Sequence, residues 1–186
     1  MFAATPPLEA IKALLSLAAS QCGGARKHTR KLCFIDIRKA YFNAPAQRDV
    51  HVQLPDEALE PGEKGKVCGK LVKSLYGTRD AARNWEAEYT RVMLQAGFRQ
   101  GKSSPCIFRH SEKDLSVVIH GDDFTLLGPE SELKWFTSYL KSHFEIKMRG
   151  IMGPDKDDTK EIRLLNRVVR WTEDGIKYEA DLRHCL

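Results

Sequence analysis

The sequence lacks several features that would assign it to a specialised class of protein. Its cysteines form no Cys-x-x-Cys pair, and an odd, scattered set of five argues against a zinc site or a disulfide framework. Free cysteines favour a reducing, intracellular location, in cytoplasm or nucleus. The first residues contain no basic stretch followed by an apolar one, so we expect no signal peptide. No apolar stretch is long enough to cross a bilayer, so we expect no membrane partner. Neither an internal repeat nor a low-complexity segment is present.

The composition is that of an ordinary globular protein. A length of 186 residues with 42% hydrophobic residues is enough to bury a core without disulfides or a structural metal. The 30 Lys and Arg exceed the 25 Asp and Glu, which gives a net charge of +5. A mildly basic chain is compatible with nucleic-acid binding, although many proteins without such a partner have the same charge.

Hydrophobic periodicity predicts an α+β fold, with an antiparallel sheet covered by helices on one side. Helical spacing marks residues 8–18, 81–96 and 130–143. Strand patterns mark residues 32–37, 50–54, 106–108, 115–119, 124–127, 144–148 and 162–171. The polar, Gly- and Asp-rich residues 150–160 predict a loop.

Three aspartates stand at the ends of apolar runs. Gly121-Asp122-Asp123 separates two such runs, which predicts a tight turn that carries both carboxylates, and Asp36 follows another apolar run. Adjacent carboxylates repel each other, so a cation would stabilise them, and hard oxygen ligands select Mg²⁺ or Mn²⁺. Aspartates at turns are also common as solvated residues, and the residue pattern alone leaves both interpretations open.

Longer motifs resemble those of one family, the reverse transcriptases of copia-type retrotransposons. The segments that carry the resemblance are 32–43 (LCFIDIRKAYFN), 49–55 (DVHVQLP), 73–85 (KSLYGTRDAARNW), 119–128 (IHGDDFTLLG) and 140–148 (LKSHFEIKM). They occur in the family's order and at its spacing, and the segment from Lys73 to Trp85 is the most distinctive.

The resemblance implies a polymerase palm, with an antiparallel, ferredoxin-like sheet packed on helices, and partial fingers. Asp36 and Asp122 would be the principal ligands of Mg²⁺ (or Mn²⁺), with Asp123 as the third, and these three would be the catalytic residues. The family's domain order would assign residues 1–35 and 42–85 to fingers and palm connections, 86–150 to the palm core, and 151–186 to the start of the thumb or connection.

The resemblance also implies residues for the substrate. Tyr41 would lie beneath the sugar of the incoming dNTP and exclude a 2′-OH, and Tyr76 and Gly77 would approach the nucleotide and template. Without the resemblance, a core aromatic residue is the preferred interpretation of Tyr41, because Tyr41 and Phe42 follow a strand predicted to be buried.

The implied activity is RNA-directed DNA polymerisation, a nucleotidyl transfer from dNTP to a primer 3′-OH on an RNA or DNA template. We expect the chain to be a fragment of a Pol polyprotein whose other regions include ribonuclease H and integrase.

Four residues depart from the family's motifs. His120 replaces the tyrosine of the Tyr-x-Asp-Asp box and Gly121 follows it, while Asp80 and Ala82 replace a glutamine and a proline. Two alternatives to an active polymerase therefore remain at this point. One is an inactive remnant that keeps the palm fold and binds nucleic acid, and the other is an unrelated binding domain in which Asp36 lies far from Asp122.

Overall fold

The computed structural model describes residues 5–20 and 30–180, and these residues divide into two units. The smaller unit comprises Lys39–Arg91, and the larger unit comprises the other described residues. Cys22 and Cys185 lie outside the described residues. Of the helices described, none combines the length and the apolar character needed to cross a bilayer.

Helices and strands alternate along the described chain. The helices are α1 (Leu8–Ala19), α2 (Ala40–Asn43), α3 (Ala81–Gln95) and α4 (Glu130–Lys141), with a short 3-10 helix over Asp56–Ala58. The strands are β1 (Arg30–Ile37), β2 (His51–Val52), β3 (Gly69–Lys70), β4 (Arg99–Gln100), β5 (Ile107–His110), β6 (Leu115–His120), β7 (Asp123–Pro129), β8 (Ile146–Met152), β9 (Glu161–Leu164), β10 (Arg167–Thr172) and β11 (Gly175–Ala180).

The larger unit is built on two antiparallel sheets. The first has six strands in the order β4-β5-β6-β7-β1-β8, and the second has three in the order β11-β10-β9. Every pair of neighbouring strands in both sheets is antiparallel. The predicted α+β class with antiparallel sheets is therefore confirmed.

Helices cover both faces of the large sheet at β1, so the expectation of helices on one side was wrong. Leu32 and Phe34 join the core that α1 forms through residues such as Leu14. Cys33 faces the opposite way and contacts Thr137 of α4. Alternate residues of a strand point to opposite faces, and those of β1 are apolar on both. Both faces of β1 must therefore be shielded from water, and α1 and α4 do this on opposite sides.

The smaller unit contains α2, the two-stranded pairing of β2 with β3, and most of α3. Trp85 is buried and packs edge-to-face on Tyr89, with ring centroids 5.6 Å apart. The amide of Asn84 donates to Ser74 Oγ at 3.0 Å, which satisfies two buried polar groups of the motif that contains Trp85. Trp85 is thus a core residue of this unit.

Several predicted boundaries differ from the structure. Residues 150–152 extend β8 instead of starting a loop, and the strand predicted over 50–54 is reduced to His51–Val52. The elements α2, β4 and β11 were not predicted. Three of these five elements have four residues or fewer, which is too short for a hydrophobic period to develop.

Lys31 carries the most buried positive charge of an ion-pair network beside β1. Its ammonium group lies 2.7 Å from Glu130, 2.6 Å from Asp155 and 2.8 Å from Asp158, and its side chain is only 6% exposed. Burial alone would lower the pKa of Lys31, but the three carboxylates outweigh it and raise this pKa above its usual range. Lys31 is therefore a structural cation that ties β1 to α4 and to the segment after β8.

We expect Lys31→Met to lower the free energy of unfolding by about 3 kcal/mol, because it leaves three carboxylates without their shared cation. Urea unfolding followed by circular dichroism measures this change. Lys134→Met is the matched control, since Lys134 pairs with the same Glu130 at the surface and should contribute less than about 1 kcal/mol. Equal losses in the two variants would contradict the structural role of Lys31.

Candidate metal centre

The pairing of four strands places polar and charged residues in one row at an end of the large sheet. In the β1–β7 pairing Asp36 lies directly opposite Asp123, and in the β6–β7 pairing Asp123 lies opposite His120. On the far side of β1, Asp36 is paired with Lys147 of β8. Directly paired residues of an antiparallel sheet point to the same face. Asp36 and Asp123 are thus neighbours.

The Gly-Asp-Asp segment connects β6 to β7. Gly121 has φ +63° and Asp122 lies in the turn with an exposed side chain, whereas Asp123 is already the first residue of β7. The carbonyl of Asp122 accepts a hydrogen bond from the backbone N–H of Ile37 at 2.9 Å. The turn is therefore tied to the strand that carries Asp36, and only one of the two aspartates belongs to the turn itself.

A cation already bridges two of these carboxylates. The Arg149 guanidinium lies 2.8 Å from Asp36 Oδ2 and 2.9 Å from Asp123 Oδ1, through the same Nη2 atom. Arg149 was not among the residues predicted from the sequence. Its one local signal was Gly150, because a glycine within a strand pattern often marks a bulge.

The surroundings of Asp123 raise its pKa above the ordinary value. Burial raises the pKa of Asp123, the charge of Arg149 lowers it, and the charges of Asp122 and Asp36 raise it again, with a net increase. Burial is the main cause of this increase, and the charge of Arg149 offsets it only in part.

A second acidic cluster lies elsewhere in the same unit. Within the described residues, the three carboxylates whose oxygens lie within 4.8 Å of one another are Glu130, Asp155 and Asp158, and not the predicted trio. Lys31 Nζ bonds all three. None of these three carboxylates belongs to the site that the sequence predicted, and the enclosed Lys31 holds them together.

The residues predicted to contact the nucleotide lie in the smaller unit. The rings of Tyr41 and Tyr76 stack with centroids 4.4 Å apart, and Phe42 packs edge-on against Tyr76 at 5.3 Å. Gly77 has φ +86°, which favours glycine. Tyr41 is half-buried while Phe42 and Tyr76 are exposed, so the three rings form a surface cluster of aromatic residues instead of an internal core.

The negative charge of Asp80, which replaces the family's glutamine, is offset by an ion pair with an arginine. Arg48 lies 2.7 Å from Asp80, and this contact is the main reason that the pKa of Asp80 is lowered to about 2. The ion pair lines a cavity of about 600 Å³ in the smaller unit. The lining residues are Gln47, Arg48, Arg79, Asp80, Arg83, Asn84 and Ala87. Three arginines and one aspartate line the cavity, so its net charge is positive.

Comparison with known proteins identifies the family. A family model described as reverse transcriptase (RNA-dependent DNA polymerase) matches residues 1–153. The match covers most of the chain, which therefore belongs to the reverse transcriptase family.

Curated relatives place the chain among copia-type retrotransposons. It is 26% identical over 136 residues to the retrovirus-related Pol polyprotein from transposon TNT 1-94 of Nicotiana tabacum, which covers 72% of this chain and 10% of the relative. It is 26% identical over 116 residues to the polyprotein from transposon RE1 of Arabidopsis thaliana, covering 61% and 8%. A truncated Ty1-A Gag-Pol polyprotein of Saccharomyces cerevisiae is 24% identical over 125 residues, covering 66% and 10%. The chain spans a tenth or less of these relatives.

The raised pKa of Asp123 gives a prediction about stability and pH. A carboxyl group with a raised pKa in the folded state destabilises that state when ionised, and the penalty disappears as pH falls through the raised pKa. We therefore expect Asp123→Asn to raise the urea midpoint at pH 7.5 in EDTA, with a smaller gain at each lower pH down to about 4.

Asp114→Asn is the control with the opposite sign. Burial alone would raise the pKa of Asp114, but its hydrogen bonds with Arg30 and Arg109 lower it overall. Its ionised form therefore stabilises the fold, and the variant should lose stability at pH 7.5. A loss of stability in Asp123→Asn at pH 7.5 would contradict the electrostatic description of the site.

Proposed function

We propose that the chain is the catalytic portion of an RNA-directed DNA polymerase, with Asp36, Asp122 and Asp123 as the ligands of Mg²⁺ or Mn²⁺. One observation carries the proposal: Asp36 and Asp123 share a single cation at the end of the sheet, next to the turn that holds Asp122. Membership of the reverse transcriptase family supports the same assignment.

The donor set suits a hard divalent cation. Carboxylate oxygens are the protein ligands that Mg²⁺ and Mn²⁺ prefer. Asp36 and Asp123 accept a positive group at hydrogen-bonding distance, and Asp122 is exposed beside them. When bound, the ions would activate the primer hydroxyl and stabilise negative charge on the triphosphate.

The reaction needs no protein nucleophile. The primer 3′ oxygen forms a bond to the α-phosphorus of the dNTP, the bond from that phosphorus to the β-phosphate oxygen breaks, and pyrophosphate leaves. The hydroxyl proton passes to water. The chain contributes position and charge, which is how phosphoryl-transfer enzymes achieve most of their acceleration.

We assign the six-stranded sheet with α1 and α4 to the palm. The residues from α2 to α3 in the smaller unit are assigned to fingers connections, with Tyr41, Tyr76 and Gly77 at the nucleotide and template. The basic cavity around Arg48 and Arg79 gives this unit a surface suited to nucleic-acid phosphates. Template-primer and dNTPs are the proposed partners, together with the other regions of a Pol polyprotein.

Primer extension by the full chain tests the activity. We expect a labelled DNA primer on an RNA template to be extended with dNTPs and Mn²⁺ or Mg²⁺. Asp122→Asn should reduce the rate by at least about a hundredfold, above the loss typical of residues that only support a ligand. Arg170→Gln is the control, because Arg170 pairs with Glu161 and Glu179 on the separate three-stranded sheet.

The alternative function is that of an inactive remnant that keeps the fold and binds nucleic acid. The ion pairs of Arg149 with both Asp36 and Asp123 are the observation that favours it, because an arginine already lies between these two carboxylates. Absence of extension by wild-type protein that still binds an RNA–DNA duplex would establish the remnant and overturn the polymerase assignment.

A role for Tyr41 in sugar selection gives a separate prediction. Tyr41→Ala should weaken discrimination against ribonucleotides by about ten- to hundredfold, because a ring that excludes the 2′-OH is removed. Single-nucleotide incorporation of dNTP and rNTP measures the ratio. Tyr41→Phe keeps the ring and should keep the discrimination. If Tyr41→Ala discriminates as wild type does, the ring only packs on Tyr76.

A further inference from the structure

Arg149, which contacts both Asp36 and Asp123, is the extra residue of a β-bulge in β8. In the pairing of β8 with β1, Phe34 is opposite Gly150 and Ile35 is opposite Met148, so Arg149 is the extra residue without a partner in the ladder. Arg149 follows Lys147, the partner of Asp36, by two residues and therefore lies on the same face as Asp36, immediately before the register shift.

Gly150 makes this bulge possible. Its φ is +153°, and a Cβ atom built at this position would lie 2.5 Å from Thr159 Oγ1. A side chain at position 150 would therefore collide with the segment that follows β8. The backbone beside Arg149 therefore lies close to Thr159.

The guanidinium uses the same oxygens that a metal ion would need. Asp36 Oδ2 and Asp123 Oδ1 both contact Nη2 of Arg149, which places the cation between the two carboxylates. An arginine does not lose its proton in proteins, so it can vacate this position only by moving. A divalent ion and a guanidinium between the same carboxylates would repel each other at short range.

Arg149 has a route out of the centre. Its side chain is 31% exposed, and β8 is the last strand of the six-stranded sheet, so the side chain can turn to solvent without crossing another strand. Lys31 differs in this respect, since its side chain is 6% exposed and bonds three carboxylates. The two cations therefore differ: Lys31 is enclosed by its carboxylates, whereas Arg149 can reach solvent.

We propose that Arg149 is a tethered counter-ion that occupies the position of the metal and sets the metal affinity, because binding of the ion must displace it. The inference rests on the proposed function, in which the aspartates bind a divalent ion. In the absence of metal, the guanidinium stabilises carboxylates that would otherwise repel one another. Metal binding then exchanges one cation for another instead of filling an uncompensated site.

Titration of the full chain with Mn²⁺ alone, followed by calorimetry and by the electron paramagnetic resonance signal of free Mn²⁺, tests the proposal. If the guanidinium is in place in about nine molecules of ten, wild type binds about tenfold more weakly than a chain without it. We therefore expect Arg149→Gln to lower the Kd for Mn²⁺ by about tenfold. Arg149→Lys keeps a cation without the planar fork and should give an intermediate Kd.

Arg170→Gln is the matched control. Arg170 also bonds two carboxylates, Glu161 and Glu179, and its loss changes the net charge by the same amount. Its Kd for Mn²⁺ should stay within about twofold of wild type, because exposed charges outside the site are screened. A drop equal to that of Arg149→Gln would assign the effect to net charge and overturn the proposal.

Asp122→Asn separates failure of this inference from failure of the proposed function. If Asp122→Asn weakens binding while Arg149→Gln and wild type have the same Kd, the metal centre stands and the counter-ion role is wrong. If wild type and Arg149→Gln bind no Mn²⁺, or if Asp122→Asn binds it as wild type does, the metal centre is wrong and the inference fails with it. Circular dichroism of each variant verifies the fold.

Discussion

The antiparallel pairing of β1 with β7 is the constraint on which the candidate site depends. Its register sets Leu32 opposite Leu127 in the core and Asp36 opposite Asp123 at the end of the sheet. A slip of one residue would turn each side chain to the other face, so the buried residues specify the position of the carboxylates. Burial of each large apolar side chain contributes roughly 1.5–3 kcal/mol, which holds together acidic groups that repel each other.

Much of the fold around the candidate site could be predicted from the sequence, because its strands and helices follow from the local pattern of apolar residues. The apolar run before Asp36 and the two runs around the Gly-Asp-Asp segment gave the strands, and helical spacing gave α1, α3 and α4. The spaced motifs gave the family, which the comparison confirmed. The role of the three aspartates stays a prediction, as does the division into palm and fingers.

The contacts that were not predicted join distant parts of the chain. Arg149 is 113 residues from Asp36, and Arg48 is 32 residues from Asp80. Hydrophobic periodicity carries no information about which basic residue will meet a given carboxylate. A bulge adds to the difficulty, since one additional residue changes the face that every later side chain of the strand occupies.

The bulge at Arg149 also affects how the sheet ends. The six-stranded sheet terminates at β8 on one side and at β4, only two residues long, on the other. A long, regular and apolar edge strand would offer its backbone to a strand of another molecule. In β8 the ladder is irregular, Lys147 and Arg149 carry charge, and the N–H of Thr159 bonds the carbonyl of Ile151. The strand is therefore a poor template for intermolecular pairing, and Arg149 carries one of the charges that make it so.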